Sequence, residues 1–420
     1  MVMPKPPSRA DLLATLRHRA AVIFVVLQVA VALAVVANAT FIIAGHVRTM
    51  QRHSGVESAG LFSFTQQWLD VGDVNSVEQA KALNARQEAD LRAIRDVPSV
   101  ANAAAISTLP LTNNLWTTYV AKGPSTAGHG VLVSLYNADE RARSTLGLKL
   151  LSGRDFRADE IVPRFSGAND APPVVMVTAH LAQRLFGDQP ALGRLVYLNK
   201  GATPSRIIGV LDTLQSPAVY QLSDGSIWDS VLLPVRTVSA FTRYIVRARP
   251  GQIDQATTEV KQALYRIDLN RLMTDGSVYK FSDIELDAYQ VDRAVTYTMI
   301  AISLIMILIA GGGVFALTSL WARRRLRSLG VRRALGARRI DIVALVLGEN
   351  IFVVAAGCVL GILLATGLNM LLMQWYEVDR ISIATVLGAT LCMMFVAQIA
   401  ALQPALKSAA SDPGAVMRLI

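Results

Sequence analysis

Four long apolar stretches, each without a charged residue or a histidine, punctuate the chain. They cover residues 20–45, 294–322, 350–376 and 381–406. Each is longer than the roughly 20 residues that a helix needs to cross about 30 Å of hydrocarbon. A buried core helix of a soluble protein could account for one such stretch, but four of them predict four transmembrane helices. We place these helices at residues 20–45, 294–320, 342–374 and 381–406.

The first apolar stretch is too long to be the hydrophobic part of a cleavable signal peptide, which has about 7–15 residues. It runs from Ala20 to Gly45, and its weak match to a cleavage pattern, Ala37-Asn38-Ala39, lies inside the stretch itself. We therefore expect an uncleaved first transmembrane helix.

A polar region of mixed pattern, residues 46–293, lies between the first two apolar stretches. Apolar positions at helical spacing predict a helix from Ser76 to Arg95, and shorter patterns predict helices at 179–186 and 253–268. Runs with β-branched residues predict short strands at 103–109, 131–136, 174–177, 195–198, 206–210 and 244–249. The predicted fold class is therefore four membrane-spanning helices plus a large α+β extracytoplasmic domain inserted between helices 1 and 2.

Composition and charge agree with a membrane protein and indicate its orientation. Charged residues make up 17% of the chain, against about 25% in soluble domains. The net charge is +10, of which residues 1–44 carry +3 and residues 294–420 carry +6. Because Lys and Arg in short loops stay on the cytoplasmic side, this excess is explained by membrane topology. Nucleic acid is not an expected partner, whereas the lipid bilayer is.

The positive-inside bias assigns each connecting segment to one side of the membrane. Residues 1–19, 321–341 and 407–420 are predicted to be cytoplasmic, so both termini lie inside. Residues 46–293 and the short loop 375–380 are predicted to lie outside.

An arginine-rich segment, residues 323–341, joins the second and third predicted spans. It holds eight arginines and one acid, Asp341. Its centre reads Gly330-Val331-Arg332-Arg333-Ala334-Leu335-Gly336-Ala337. Glycines permit turns at both ends of a short helix, so we predict one from Val331 to Leu335. Its apolar side could occupy a protein groove, or its arginines could rest on lipid headgroups at about 1 kcal/mol each. Composition alone leaves these two alternatives open.

Several polar or small residues interrupt the predicted spans. Glu349 is an acid near the start of the third span, and we expect it to pair with Arg338 or Arg339. Gly357 and Gly361 form a G-x-x-x-G pattern that lets helices approach closely, within one subunit or in a dimer. Gln28, Asn38 and Gln398 are single polar residues within the spans, and we expect each to form an interhelical hydrogen bond rather than a transport site.

The sequence holds no pattern for catalysis or for binding of a metal or nucleotide by these residues alone. There is no G-x-x-x-x-G-K-[ST], the loop and lysine that cradle nucleotide phosphates. The five histidines lack metal-ligand spacing, and we interpret His46 and His53 as solvated or interfacial residues. Both cysteines, Cys358 and Cys392, lie in predicted spans. We expect a non-catalytic chain with no cofactor of its own.

The arginine-rich centre resembles the G-[IV]-R-R-A-L-G-A signature of the MacB/FtsX-like (type VII) ABC transporter permeases. Residues 147–156 and 182–187 resemble stretches of the MacB-type periplasmic core domain, and residues 412–418 resemble the family's D-P-x-x-A-L-R ending. The family usually has an acid two residues before the first glycine of the signature, where this chain has Ser328.

The resemblance implies a domain plan. Residues 46–293 would be the periplasmic core domain, with stalk ends near 46–60 and 284–293 and an inserted subdomain at about 138–230. Residues 321–341 would hold a cytoplasmic coupling helix that docks on a separate ABC ATPase, which binds the ATP and Mg²⁺. The chain would lie in the bacterial inner membrane.

The resemblance also implies partners and a mechanism. Two permease chains, identical or related, would act with two ATPase subunits, and a periplasmic adaptor and an outer-membrane channel are expected. ATP-driven movement would reshape the periplasmic domain, which is termed mechanotransmission, for export or efflux. The alternatives are lipoprotein release of the LolCDE type, an FtsX-like regulator of a cell-wall hydrolase, or a membrane-anchored sensor without an ATPase.

Overall fold

The computed structural model of the 420-residue chain divides it into two compact units, 1–51 with 291–420 and 52–290. We call them the helical unit and the α+β unit. The residues that the structure describes are 9–72, 76–124, 130–164, 171–199, 203–220, 225–325, 332, 337–376 and 380–410.

The helical unit holds the four predicted apolar helices. They are α1 (Arg9–Met50), α7 (Gln290–Arg324), α8 (Arg339–Tyr376) and α9 (Ile383–Ala410). Helix α1 packs along α8 and α9. The side of α1 that carries Val29, Ala32 and Leu33 is buried among the other helices, whereas Ile23 and Phe24 remain exposed. A helix that is apolar on its outward side as well is typical of a membrane span.

The helices extend beyond the predicted spans, but the predicted stalk ends are not continuous helix. Helix α1 ends at Met50, and the backbone from 51 to 60 is irregular. On the other side, helix α6 ends at Ala288 and α7 starts at Gln290. The sequence reason on the first side is visible, because Ser54, Gly55 and Gly60 are poor helix formers and both glycines adopt positive φ.

The α+β unit contains the remaining elements. Its helices are α2 (Val77–Arg95), α3 (Ala142–Leu146), α4 (Ala179–Phe186), α5 (Ile253–Ile267) and α6 (Phe281–Ala288). Its strands are β1 (Leu61–Trp68), β2 (Val100–Ala105), β3 (Thr117–Ala121), β4 (Val131–Ala138), β5 (Leu150–Gly153), β6 (Val162–Arg164), β7 (Val174–Thr178), β8 (Leu195–Leu198), β9 (Pro204–Leu211), β10 (Ser230–Thr237), β11 (Phe241–Ala248), β12 (Arg271–Leu272) and β13 (Val278–Lys280).

Five of these strands form an antiparallel sheet in the order β12-β1-β11-β2, with β13 also paired to β1. Phe62 lies opposite Val246, and Phe64 lies opposite Tyr244. These side chains form one core with apolar residues of α2 and α5, among them Leu91. Helix α2 starts where the sequence predicts, because the Ser76 side chain accepts a hydrogen bond from the Gln79 N–H (3.2 Å).

The other eight strands form a second sheet, in which β4-β3-β8-β9-β7-β10 closes on itself through a β4–β10 pairing. Helix α4 covers one part of this barrel. The chain enters the barrel after β2 and leaves it before β11, and these two strands are neighbours in the first sheet. The inserted part therefore runs from Thr117 to Thr237, which is wider than the 138–230 that the sequence suggests.

Buried charges in the α+β unit are paired or hydrogen-bonded. The Arg271 guanidinium lies 2.9 Å from Asp90 Oδ1, and neither side chain is exposed. The same carboxylate accepts hydrogen bonds from Gln66 and Tyr244. Burial raises the pKa of Asp90 against the opposing effect of Arg271. Breaking such a pair by removing one partner typically costs about 3–5 kcal/mol.

A second buried carboxylate, Asp139, follows strand β4 and has a stronger perturbation. It accepts hydrogen bonds from the Ala105 and Arg141 N–H groups, and Arg95 Nη2 lies 3.2 Å from its Oδ2. Burial nevertheless raises the pKa of Asp139 to about 6, because desolvation and the neighbouring Glu140 outweigh these contacts.

The raised pKa of Asp139 makes the stability of the α+β unit depend on pH. Its pKa lies above the ordinary value of 3.8, so the folded state binds the proton more tightly than the unfolded state. The resulting stabilisation is full below about pH 4 and is lost as the pH rises through 6. When the pH is lowered from 7 to 5, we expect the unfolding free energy of wild type to rise by about 1 kcal/mol relative to that of Asp139→Asn. Urea unfolding, followed by tryptophan fluorescence, measures this difference.

The control for this pH effect is Asp188→Asn, which removes an exposed carboxylate from the same unit. Its unfolding free energy should follow that of wild type at both pH values. A constant difference between wild type and Asp139→Asn from pH 5 to 7 would show that Asp139 titrates normally.

Candidate functional site

The arginine-rich segment connects the end of α7 at Arg324 to the start of α8 at Arg339. The structure describes two residues of the predicted coupling helix, Arg332 and Ala337. Arg332 is exposed and helical, and its carbonyl accepts a hydrogen bond from the Ala337 N–H (3.1 Å). The other predicted residues lie outside the described part of the chain; they are Gly330, Val331, Arg333, Ala334, Leu335 and Gly336.

An ion pair links the residue that follows α7 to a residue inside α8. Arg325 Nη1 lies 2.6 Å from Glu349 Oε1 and 2.7 Å from Oε2. The sequence led us to expect Arg338 or Arg339 as the partner of Glu349, and that assignment was wrong. Arg339 lies on the same helix as Glu349, ten residues earlier and therefore about 15 Å away along the axis. Arg325 comes from the other side of the segment and can reach.

The start of α8 is fixed by its own acid. The Arg338 N–H donates to Asp341 Oδ2 (2.8 Å), and the Asp341 N–H donates to the Arg338 carbonyl. The positive end of the helix dipole also stabilises the negative charge of this carboxylate. The Arg325–Glu349 pair is half-exposed, so its contribution to stability is small. Its consequence is geometric, because it ties Arg325, which directly follows α7, to a residue inside α8.

The G-x-x-x-G pattern of α8 packs against α1 of the same chain. A Cβ atom on Gly357 would lie 2.9 Å from Val29 and 3.0 Å from the Val26 carbonyl oxygen. A Cβ atom on Gly361 would meet Leu33 and the Ala30 carbonyl at the same distances. Of the two alternatives that the sequence left open, the structure shows the contact within one subunit.

Polar side chains of α1 add hydrogen bonds between the helices. Asn38 Nδ2 donates to the Ala365 carbonyl of α8 (3.1 Å). Gln28 Nε2 donates to the Ile309 carbonyl of α7 (2.6 Å), and Gly313 leaves the space for that side chain. Gln398 differs from the expectation, because its buried amide atoms have no hydrogen-bond partner among the described residues.

A hydrogen-bonded pair joins α1 and α7 at the end away from the arginine-rich segment. His46 Nδ1 lies 2.6 Å from Asp292 Oδ1, and only 2% of the Asp292 side chain is exposed. Sequence reasoning interpreted His46 as a solvated or interfacial residue and did not predict this pair. The two residues lie far apart in the chain, and their only shared signal is that each flanks an apolar stretch.

Comparison with known proteins gives two family matches. The MacB-like periplasmic core domain family matches residues 24–263, and the FtsX-like permease C-terminal family matches residues 300–413. The first match alone covers more than half of the chain.

Individual relatives are similar over part of their length. The macrolide export ATP-binding/permease protein MacB of Rhodopseudomonas palustris is 27% identical over 337 residues, which is 76% of this chain and 48% of that protein. The pyoverdine export ATP-binding/permease protein PvdT of Pseudomonas syringae is 28% identical over 265 residues, 60% of this chain and 39% of that protein. The chain thus spans about half the length of the curated relatives that it matches, or less.

Solved structures of related extracytoplasmic regions also match. The match to the periplasmic region of MacB from Actinobacillus actinomycetemcomitans covers 57% of this chain and 97% of that chain, with a TM-score of 0.33 and 14% identity. The match to the extracellular domain of the transporter YknZ covers 51% of this chain and 100% of that chain, with a TM-score of 0.31 and 15% identity.

The packing of α8 on α1 can be tested by adding one methyl group. Gly→Ala in a helix normally stabilises by about 1 kcal/mol, but Gly357→Ala forces the two helices apart, at about 1–3 kcal/mol. We expect a lower melting temperature for Gly357→Ala and Gly361→Ala. The buried Cys358 thiol reports the melting when a thiol-reactive dye labels it, in a Cys392→Ala background.

The matched control is Gly367→Ala on the same helix, where a Cβ atom meets nothing within 4 Å. This variant should melt at or above the wild-type temperature. Equal effects of the three substitutions would mean that α8 does not rely on close contact with α1.

Proposed function

Because this chain belongs to the ABC transporter permeases that combine a MacB-like periplasmic core domain with an FtsX-like C-terminal region, we propose that it couples an ATPase to movement of its α+β unit. The observation that carries the proposal is the arginine-rich segment between α7 and α8, two helices that the Arg325–Glu349 pair also connects. An ATPase outside these 420 residues would bind the ATP and Mg²⁺, because the sequence has no P-loop. The chain itself would not catalyse a reaction.

The proposed orientation follows from the placement of the arginines. The segment 323–341 lies between two apolar helices and would remain in the cytoplasm. The α+β unit, residues 52–290, would then lie outside the bacterial inner membrane, and both termini would lie inside.

The long helices supply a route for force. Helix α7 has 35 residues and α1 has 42, so they measure about 52 and 63 Å and exceed the hydrocarbon thickness of about 30 Å. Glu349 ties α8 to the residue that follows α7, and the His46–Asp292 pair ties α7 to α1 at the other end. A displacement of the segment by an ATPase would therefore move several connected helices together rather than one isolated loop.

The proposed process is export. The names of the similar proteins describe macrolide and pyoverdine export, and export by a complex of two permease chains is the reading that we favour here. A periplasmic adaptor and an outer-membrane channel are further proposed partners. Lipoprotein release of the LolCDE type uses the same class of permease. Regulation of a cell-wall hydrolase in the manner of FtsX is less well supported, since a two-sheet external unit exceeds what such a regulator requires.

The orientation is testable by labelling single cysteines with a membrane-impermeant maleimide. In a Cys358→Ala, Cys392→Ala background, Arg92→Cys should react in intact spheroplasts, because it is exposed on the α+β unit. Arg332→Cys should react only after the membrane is permeabilised. The opposite pattern would contradict the proposed topology.

The coupling proposal predicts that reversing two charges of the segment releases the ATPase. Arg332→Glu with Arg333→Glu places like charges where the motif would meet acids. Loss of a buried charged contact costs about 2–5 kcal/mol, which is roughly a hundredfold in affinity. The measurement is copurification of the ATPase from native membranes, identified by its P-loop sequence, together with ATP hydrolysis in nanodiscs. Ala334→Asp should give the same result by placing a charge in an apolar groove.

The matched control is Arg338→Glu with Arg339→Glu, which makes the same change of charge outside the G-x-R-R-x-x-G core. This control should retain the ATPase and its hydrolysis. If the Arg332 and Arg333 variant keeps full binding and stimulated hydrolysis, the segment only sets topology. If both double variants release the ATPase equally, total charge rather than the motif binds it.

A further inference from the structure

A cleft of about 660 Å³ opens in the α+β unit where the five-stranded sheet meets the barrel. Phe241 and Arg243 of β11 line it from the five-stranded sheet, and Asn137 of β4 and Arg236 of β10 line it from the barrel. The volume lies within the range of pockets for small molecules, about 300–1,000 Å³. The barrel insertion creates this cleft, because β11 resumes the first sheet directly after the barrel strand β10.

The cleft is positively charged. Three arginines line it, Arg164, Arg236 and Arg243, and no Asp, Glu or His is among the described lining residues. Arg236 is compensated by Glu88, 2.8 Å away. Arg243 differs, because the one hydrogen bond of its guanidinium among the described residues goes to a neutral group, the Ser107 carbonyl (3.2 Å). Burial lowers the pKa of Arg243, with no carboxylate acting against it. A partly buried guanidinium in this state favours an anion as partner.

Two further polar atoms in the cleft lack partners. The buried Arg236 Nε and Asn137 Oδ1 make no hydrogen bond among the described residues. The amide nitrogen of the same Asn137 donates to Thr237 Oγ1 (3.3 Å), so only its oxygen is left over. Buried polar atoms are nearly always paired in folded proteins; because these two have almost no exposed surface, a ligand would reach them only if their side chains changed rotamer.

Aromatic surface accompanies the charge. The side chains of Trp116 and Phe241 line the cleft and are 62% and 59% exposed. The loop that leads to Trp116 is fixed rather than slack. Thr108 Oγ1 donates to the Asn114 carbonyl (2.8 Å), and the buried Leu111 is held at φ +68°, which is strained for leucine. Residues with strained backbone angles are concentrated at ligand sites, where the strain preorganises a side chain for binding.

We propose that this cleft binds an organic anion with a flat apolar body, such as an aromatic or polycyclic carboxylate, sulfonate or phosphate. Arg243 receives the anionic group, and Trp116 and Phe241 cover the apolar body. The site lies wholly within the α+β unit, so it does not depend on whether the chain couples to an ATPase.

The test uses a matched pair of probes and the full-length chain in phosphatidylcholine nanodiscs. Naphthalene-2-sulfonate is the anion, and naphthalene-2-sulfonamide is the neutral compound with the same aromatic body. In calorimetric titration, with empty nanodiscs subtracted, the anion should bind saturably at one site per chain. Its affinity should exceed that of the sulfonamide by about tenfold or more, the range expected for a charge-assisted hydrogen bond.

Variants assign the binding to the cleft. Arg243→Gln should weaken the anion about tenfold or more and leave the sulfonamide unchanged, and Arg243→Lys should restore most of the anion affinity. Trp116→Ala should weaken both probes. Arg92→Gln removes an exposed arginine of the same unit and should change neither. The proposal is overturned by equal affinity for the two probes, by no saturable binding, or by unchanged anion binding in a folded Arg243→Gln chain.

Discussion

Close contact between α1 and α8 is the interaction on which the helical unit depends. Helices in lipid gain no hydrophobic energy from meeting each other, so small residues and hydrogen bonds decide which helices pack. Gly357 and Gly361 bring α8 onto the backbone of α1, and Asn38 adds a hydrogen bond along the same contact. Helix α9 then packs on both, and Gln28 bonds α1 to α7. Without the two glycines, α1 would lose its main neighbour.

Polar side-chain pairs complement this packing where the helices leave the apolar region. Arg325–Glu349 lies beside the arginine-rich segment, and His46–Asp292 lies at the other end. The first connects the consecutive helices α7 and α8, and the second connects α1 and α7, which are far apart in the chain. In the proposed mechanism, close packing makes the bundle stiff, and the terminal pairs make its long helices move together. The function would then need no reacting group in this chain, only a structure that transmits displacement.

The α+β unit owes its cleft to an insertion. Strands β2 and β11 are neighbours in one sheet, and the barrel sits in the chain between them. The junction brings arginines and aromatic side chains of both sheets around one space. Because neither sheet alone forms that space, a ligand held there would contact both, and its binding would stabilise one arrangement of the two.

The sequence by itself determined the elements whose signal is local. Uncharged stretches gave the four apolar helices, and α4 and β8 lie at the predicted residues 179–186 and 195–198. Strand β10 escaped prediction because Pro234 interrupts its pattern, although the barrel accommodates it. The arginine motif and the family resemblance could also be recognised from the sequence, since they depend on the order of neighbouring residues.

Only the tertiary structure decided which distant residues meet. It gave Glu349 the partner Arg325, gave His46 the partner Asp292, and placed Gly357 against α1 of the same chain. It also set Arg243 and Trp116 around one cleft. Periodicity and composition report the environment of a segment along its own axis. Pairing and cleft formation depend on how segments cross, and that is fixed by packing over the whole chain.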